Sequence, residues 1–110
     1  MAGEFVWFSL GAEDPAGARE FYASLLGWEI AEEGMVAGAG RPWAAIGPDG
    51  EGSRGWLPYV QVLDVDRATE RALELGATVL RDRIRGPAGD YTTIADPTGA
   101  AIALWQPAAP

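Results

Sequence analysis

The chain has 110 residues with no cysteine and no histidine, and its 16 acidic against eight basic residues, all arginine, give a net charge of −8. That length suits one domain with a shared core; the composition removes disulfides, thiolate zinc and a cysteine nucleophile, leaves the redox compartment open, and rules out a Ser/His/Asp arrangement. Beyond Arg81, Arg83 and Arg85 no basic cluster exists, which excludes nucleic acid as a partner, and no run approaches the about 18 apolar residues of a membrane span. The N-terminus lacks a basic region followed by an apolar one, so the expected location is cytoplasmic. An acidic field favours a cationic ligand, although solubility accounts for most charge of this kind.

In chain order, Phe5 to Leu10 reads as a buried strand, rich in aromatic and β-branched residues. Asp14 then caps a helix with Pro15 at its first position, where the missing N–H is harmless. Ala18, Phe21, Tyr22 and Leu25 fall on one face of that helix, and Gly27 stops it. Trp28–Glu32, Met35–Ala37 and Trp43–Ile46 are the next strands. The glycine-rich stretch Gly47 to Gly55 has the composition of a connector.

A second strand-helix unit follows. Leu57–Val62 is a strand, Asp64 caps a helix, and Val65, Ala68, Ala72 and Leu75 form its buried stripe. Arg67, Glu70, Arg71 and Glu74 take its solvated side, where their pairings are worth tenths of a kcal/mol. Thr78–Arg81, Tyr91–Ala95 and Ala101–Trp105 complete the strands. Arg85 to Asp90 reads as a long flexible loop, and Asp96-Pro97-Thr98-Gly99 as a turn, with proline setting φ and glycine accepting a positive one. The Ala/Pro tail from Pro107 is expected to fray.

The two halves echo one another. Asp14 and Asp64 are equivalent helix starts, and Gly27 and Gly76 equivalent stops. The expected organisation is therefore a single domain, 1–110, with module one at about 1–46, a linker at about 47–55 and module two at about 56–110.

FYASLLGWEI after a capped helix, WLPYVQVLDVD opening the second half and ADPTGAAIALWQP at the end together resemble the vicinal oxygen chelate superfamily, also called the glyoxalase/bleomycin-resistance/dioxygenase superfamily. The resemblance covers nearly the whole chain. It implies an α+β fold in which two βαβββ modules form a curled mixed sheet around a cleft, with helices on the outer face, and it implies a homodimer. In metal-using members a His or Gln on the first strand of each module and a Glu on the last strand chelate a divalent ion. Those positions fall on Trp7, Leu57 and Ala103, none of which can ligate, so neither metal nor other cofactor is expected. An all-carboxylate site for a hard cation would have to use Glu13, Asp14, Asp64 and Asp66, but helix capping is the commoner role of acids so placed.

Strand alternation then decides what fills the cleft. If the chelating positions face it, so do Trp7 and Ser9, Leu57, Tyr59 and Gln61, and Ala103 and Trp105; Tyr91 and Thr93 join them because Ile94 suits the core, and Trp43 is a further candidate. Such a lining suits a small aromatic or cationic ligand held by few polar contacts, although the rings could equally pack on each other or on a second subunit. Asp90 and Tyr91 are the candidates for acid–base chemistry, with a solvated carboxylate as the plainer reading of Asp90. The expected function is metal-independent binding of a small molecule, in the manner of bleomycin-resistance proteins that sequester an antibiotic or metabolite. The alternatives are a metal-free isomerase, cyclase or lyase of the same fold acting on a natural-product intermediate, and a dimeric interaction module.

Overall fold

The computed structural model describes residues 2–38, 41–50 and 54–109. Its order is β1 (Phe5–Ala12), α1 (Pro15–Leu26), β2 (Glu29–Ile30), β3 (Met35–Gly38), β4 (Arg41–Pro48), β5 (Gly55–Gln61), α2 (Val65–Glu74), β6 (Thr78–Arg85), β7 (Gly89–Ala95) and β8 (Ala101–Pro107). This is the expected α+β class, with βαβββ order occurring twice. Two compact units result: Trp7–Leu57, and Pro58–Pro110 joined by the N-terminal residues through Val6. No helix among the described residues is long and apolar enough to cross a membrane.

In the first unit the strand order is β2-β3-β4-β1, with β1 parallel to β4 and the other pairs antiparallel. A carboxylate oxygen of Asp14 accepts from the Gly17 N–H at 3.1 Å, Pro15 opens α1, and Gly27 closes it in the left-handed region at φ 71°. Leu10, Val36, Ala44 and Ile46 form the core, onto which Ala18 and Tyr22 of α1 pack. Phe21 and Leu25, expected on that buried face, are instead 57 and 61% exposed. The row at 18 and 22 already fills the contact, and the row at 21 and 25 lies about 60° round the helix from it, at the edge of that contact. The Phe21 ring turns edge-on to Tyr22, with centroids 5.1 Å apart.

In the second unit the order is β5-β8-β7-β6, again with one parallel pair, β5 with β8. Val65, Ile94 and Leu104 are its core, surrounded by Val60, Val62, Ala68, Ala72, Val79 and Ile102. Asp64 accepts from the backbone N–H groups of Asp66 and Arg67, both at 3.0 Å, and Gln106 Oε1 reaches across from β8 to accept from the Val65 N–H at 2.9 Å. Three otherwise orphaned donors of the first turn are thereby satisfied. Leu75, expected in the buried stripe, is 61% exposed because α2 ends at Glu74 and Leu75 is its non-helical cap. The helical period no longer directs its side chain.

Two segments are shorter than expected. Arg85 to Asp90 is not a long loop: Gly86 and Gly89 exchange backbone hydrogen bonds of 3.0 and 3.3 Å, leaving a two-residue Pro87–Ala88 hairpin turn. The connector contracts because β4 runs on to Pro48 and β5 begins at Gly55. Residues 51–53 of that connector lie outside the described residues.

Candidate functional site

In the second unit β5, β8, β7 and β6 carry α2 on one face, and alternation sends every other side chain to the opposite face. Register pairs Tyr59 with Ala103 and Gln61 with Trp105 across β5 and β8, then Ala103 with Thr93 and Trp105 with Tyr91 across β8 and β7. Paired residues share a face. Six of the ten candidates for ligand contact, Tyr59, Gln61, Tyr91, Thr93, Ala103 and Trp105, thus come together in two rows. Val60, Ile94, Ile102 and Leu104 take the other face, under α2.

The rings in these rows touch. Tyr59 lies with its ring centroid 5.2 Å from that of Tyr91, tilted by 51°, and 6.4 Å from Trp105 in an edge-on arrangement. Such offsets suit the aromatic quadrupole and leave faces and edges of different character side by side. Tyr59 and Thr93 are buried, and Tyr91, Trp105 and Gln61 are half-buried. Backbone bonds from Gly3 to Gln61 O at 2.7 Å and from Gln61 to Glu4 O at 2.9 Å fix the end of β5 that carries Gln61. Gly89 clears space for Trp105: a Cβ there would come within 2.7 Å of the indole Cη2.

The first unit distributes its candidates differently. Ser9 pairs with Ala45 on the face of β1 turned away from α1, and Trp7 is half-buried at the same phase of the strand. Leu57, at the start of β5, is 2% exposed. Trp43 does not share the phase of Trp7. A register shift beside Val36 and Ala37 lies across from it, and its ring joins the α1 side, 4.8 Å from Trp28 and 6.4 Å from Phe8. That group also contains Tyr22, stacked on Trp28 at 5.2 Å, and Trp56, whose indole N–H donates to the Tyr22 hydroxyl at 3.1 Å. Sequence reasoning passed over this second aromatic group because Trp28 and Trp56 stand at strand ends, where neither period applies.

Asp90 and Tyr91 also separate. Asp90 pairs with Gln106 and Arg85, the α2-side set, and one of its oxygens accepts from Arg83 Nε at 2.9 Å and from the same guanidinium's Nη2. The other terminal nitrogen of Arg83 donates to Asp66 in the first turn of α2. The hydrogen bond to Asp90, above all, and the charge of Asp66 hold the Arg83 guanidinium above its usual pKa, against partial burial. Asp90 is therefore tied to the helix side of the sheet, away from the aromatic rows. Asp96, in the turn before β8, accepts from the Thr98 hydroxyl and N–H and from the Ala100 N–H, and these donors lower its pKa.

The residues at the chelating positions do not fit a metal. Ala103 is 0% exposed and apolar, and Trp7 and Leu57 carry no ligand atom. Of the acids that could serve instead, Asp14 and Asp64 cap helices, Asp66 pairs with Arg83, and Glu13 pairs with Arg54 at 3.5 Å. Among the described residues no group of three or more His, Cys, Asp or Glu is placed to hold an ion.

Comparison with known proteins agrees with this architecture. A family model described as a glyoxalase-like domain matches residues 7–105. CFP32 of Mycobacterium bovis, named as a glyoxylase, is 33% identical over 115 residues, covering 91% of this chain and 44% of its own length. DauV of Streptomyces sp. strain C5, named as an anthracycline biosynthesis protein, is 28% identical, covering 94% of this chain and 42% of its own. The chain thus spans less than half the length of these curated relatives. Among solved structures, methylmalonyl-CoA epimerase of Streptomyces coelicolor superposes with a TM-score of 0.64 at 18% identity, over 99% of this chain and 100% of that one. A glyoxalase/bleomycin resistance protein/dioxygenase superfamily member from Vibrio splendidus gives 0.63 at 15%, over 93% and 97%. At these identities the structures share the fold alone.

Proposed function

Since the chain belongs to the glyoxalase-like domain family, we propose that it binds a flat aromatic small molecule without a metal, on the sheet face that carries Tyr59, Tyr91 and Trp105. The observation that carries the reading is the convergence of those three rings with Gln61 and Thr93 around Ala103, the position where a chelating carboxylate would stand. A methyl group there leaves room and removes charge, while the amide and hydroxyl neighbours supply the sparse polar contacts that orient an apolar ligand. The relatives named for anthracycline biosynthesis support a polycyclic aromatic ligand. Covering about 300 Å² of apolar ligand surface contributes a gross ~7 kcal/mol, from which association costs are subtracted. Sequestration of an antibiotic or metabolite is the role this geometry favours. The metal-free isomerase, cyclase or lyase reading is weaker, because Asp90 is turned to the other side of the sheet and paired with Arg83.

The test is a titration of chelator-treated protein with 2-naphthalenemethanol and with an anthracycline, followed by tryptophan fluorescence, with recovered ligand weighed by mass spectrometry. Saturable quenching with unchanged ligand supports sequestration. An altered mass, or an isomer of equal mass separated by chromatography, makes the protein an enzyme, and binding that appears only on adding a divalent metal overturns the metal-free reading.

The homodimer belongs to the same proposal, and the exposed Phe21 and Leu25 of α1 are the apolar surface that favours it. Sedimentation of the wild type beside Phe21→Ser/Leu25→Ser decides it: a dimer lost in the double variant supports pairing through α1, and a wild-type monomer rejects it.

A further inference from the structure

Three arginines lie on β6, and its irregular register treats them differently. Between Val79 and Arg81, and again between Arg81 and Ile84, the strand carries more residues than its partner β7. Such bulges shift the phase of the strand. Val79, before the first, lies with the α2 core. Arg81 then falls opposite Thr93, and Ile84 opposite Tyr91, so both join the aromatic face. Arg83 and Arg85 take the α2 side, where both meet Asp90. Among the described residues Arg81 has no ion pair, although its side chain is half-buried. The aromatic rows are thus bordered by a guanidinium whose donors no carboxylate takes.

We infer that Arg81 is the anion-recognising element of this face, and that the ligand is an aromatic carboxylate whose ring lies on Tyr59, Tyr91 and Trp105. The inference rests on the binding reading above and narrows its ligand class. A guanidinium presents a planar fork that matches a carboxylate with two parallel charge-assisted hydrogen bonds, and the apolar surroundings formed by Ile84, Ala103 and the rings strengthen them relative to water. The net charge of −8 opposes an anion at long range. Exposed charges are screened beyond about 8 Å at physiological ionic strength, so the contact at Arg81 outweighs the distant field. This reverses the ligand polarity expected from composition alone.

Three probes of one ring system separate the possibilities: 2-naphthoate, neutral 2-naphthalenemethanol and cationic 2-naphthylmethylammonium, titrated into wild type, Arg81→Gln, Arg81→Lys and the surface control Arg71→Gln. The expected result is naphthoate binding at least tenfold tighter than the alcohol in wild type and Arg71→Gln. That preference shrinks to within twofold in Arg81→Gln and is intermediate in Arg81→Lys, while affinity for the alcohol stays unchanged across all four proteins. Equal affinities, a preference for the cation, or a naphthoate preference that survives Arg81→Gln overturns the inference and leaves the aromatic site standing. Binding of none of the probes overturns the site itself and this inference with it. If Arg81→Gln does not fold, the wild type and Arg81→Lys decide: the preference for naphthoate over the alcohol must be at least tenfold in wild type and smaller in Arg81→Lys, and an equal preference in the two overturns the inference.

Discussion

Asp90 and Tyr91 are consecutive in β7 and face opposite sides of its sheet, Asp90 bonded to Arg83 beneath α2 and Tyr91 packed on Tyr59 at 5.2 Å. Their substitutions are therefore expected to separate stability from binding. Tyr91→Ala removes one of the three rings and is expected to weaken an aromatic probe about tenfold, equivalent to ~1.4 kcal/mol. Asp90→Asn removes the charge opposite Arg83 and is expected to lower the urea midpoint while leaving probe affinity within about twofold. Fluorescence titration and urea unfolding of the two variants check this; equal loss of binding in both would mean that Asp90 reaches the aromatic face.

The two-face division that underlies this contrast was readable from the sequence wherever a strand is regular. Period two placed Val60, Ile102, Leu104 and Ile94 under α2, and Tyr59, Ala103 and Trp105 across from them, as the core shows. The period fails at bulges, because one inserted residue changes the phase without changing composition. Trp43 in β4 and Arg81 in β6 were lost for that reason: each stands beside a register shift that only the partner strand reveals. Helix faces were legible at Ala18, Tyr22, Val65, Ala68 and Ala72, but not where the pattern was wider than the contact, as at Phe21 and Leu25, or where the helix ends one residue early, as at Leu75. The turn at Pro87 and Ala88 read as a loop because glycine and proline mark chain reversal without fixing its length.

Gly89 ties the hairpin turn to the aromatic face. A Cβ at this residue would lie 2.4 Å from Gln106 O and 2.7 Å from Trp105 Cη2, so both backbone and indole must move to admit it. Gly89→Ala is expected to destabilise the fold by ~1–3 kcal/mol, the range for overpacking, and to alter the near-ultraviolet circular dichroism of Trp105. Probe affinity should fall with it, since the displaced indole is part of the proposed binding surface. An unchanged near-ultraviolet spectrum would show that Trp105 does not depend on the missing side chain.

Asp96 adds a pH dependence to the stability of the second unit. Its pKa is lowered in the folded chain, first by the Thr98 hydroxyl, which donates at 2.6 Å, and then by backbone N–H groups including that of Ala100. Unfolding removes these donors, so the unfolded chain takes up a proton at higher pH than the folded one. The ionised turn consequently adds stability that is complete above the ordinary aspartate value of about 3.9, and that stability is lost as the pH falls through the lower folded value. Asp96→Asn keeps an acceptor oxygen but cannot ionise. Its urea midpoint is expected to lie below that of the wild type at pH 7, and the gap to narrow as the pH is lowered from about 5 towards 3, where the wild-type carboxyl is itself becoming neutral. Paired urea titrations across that range check the sign, and a gap that stays constant or widens in acid would show that the charge of Asp96 does not hold this turn.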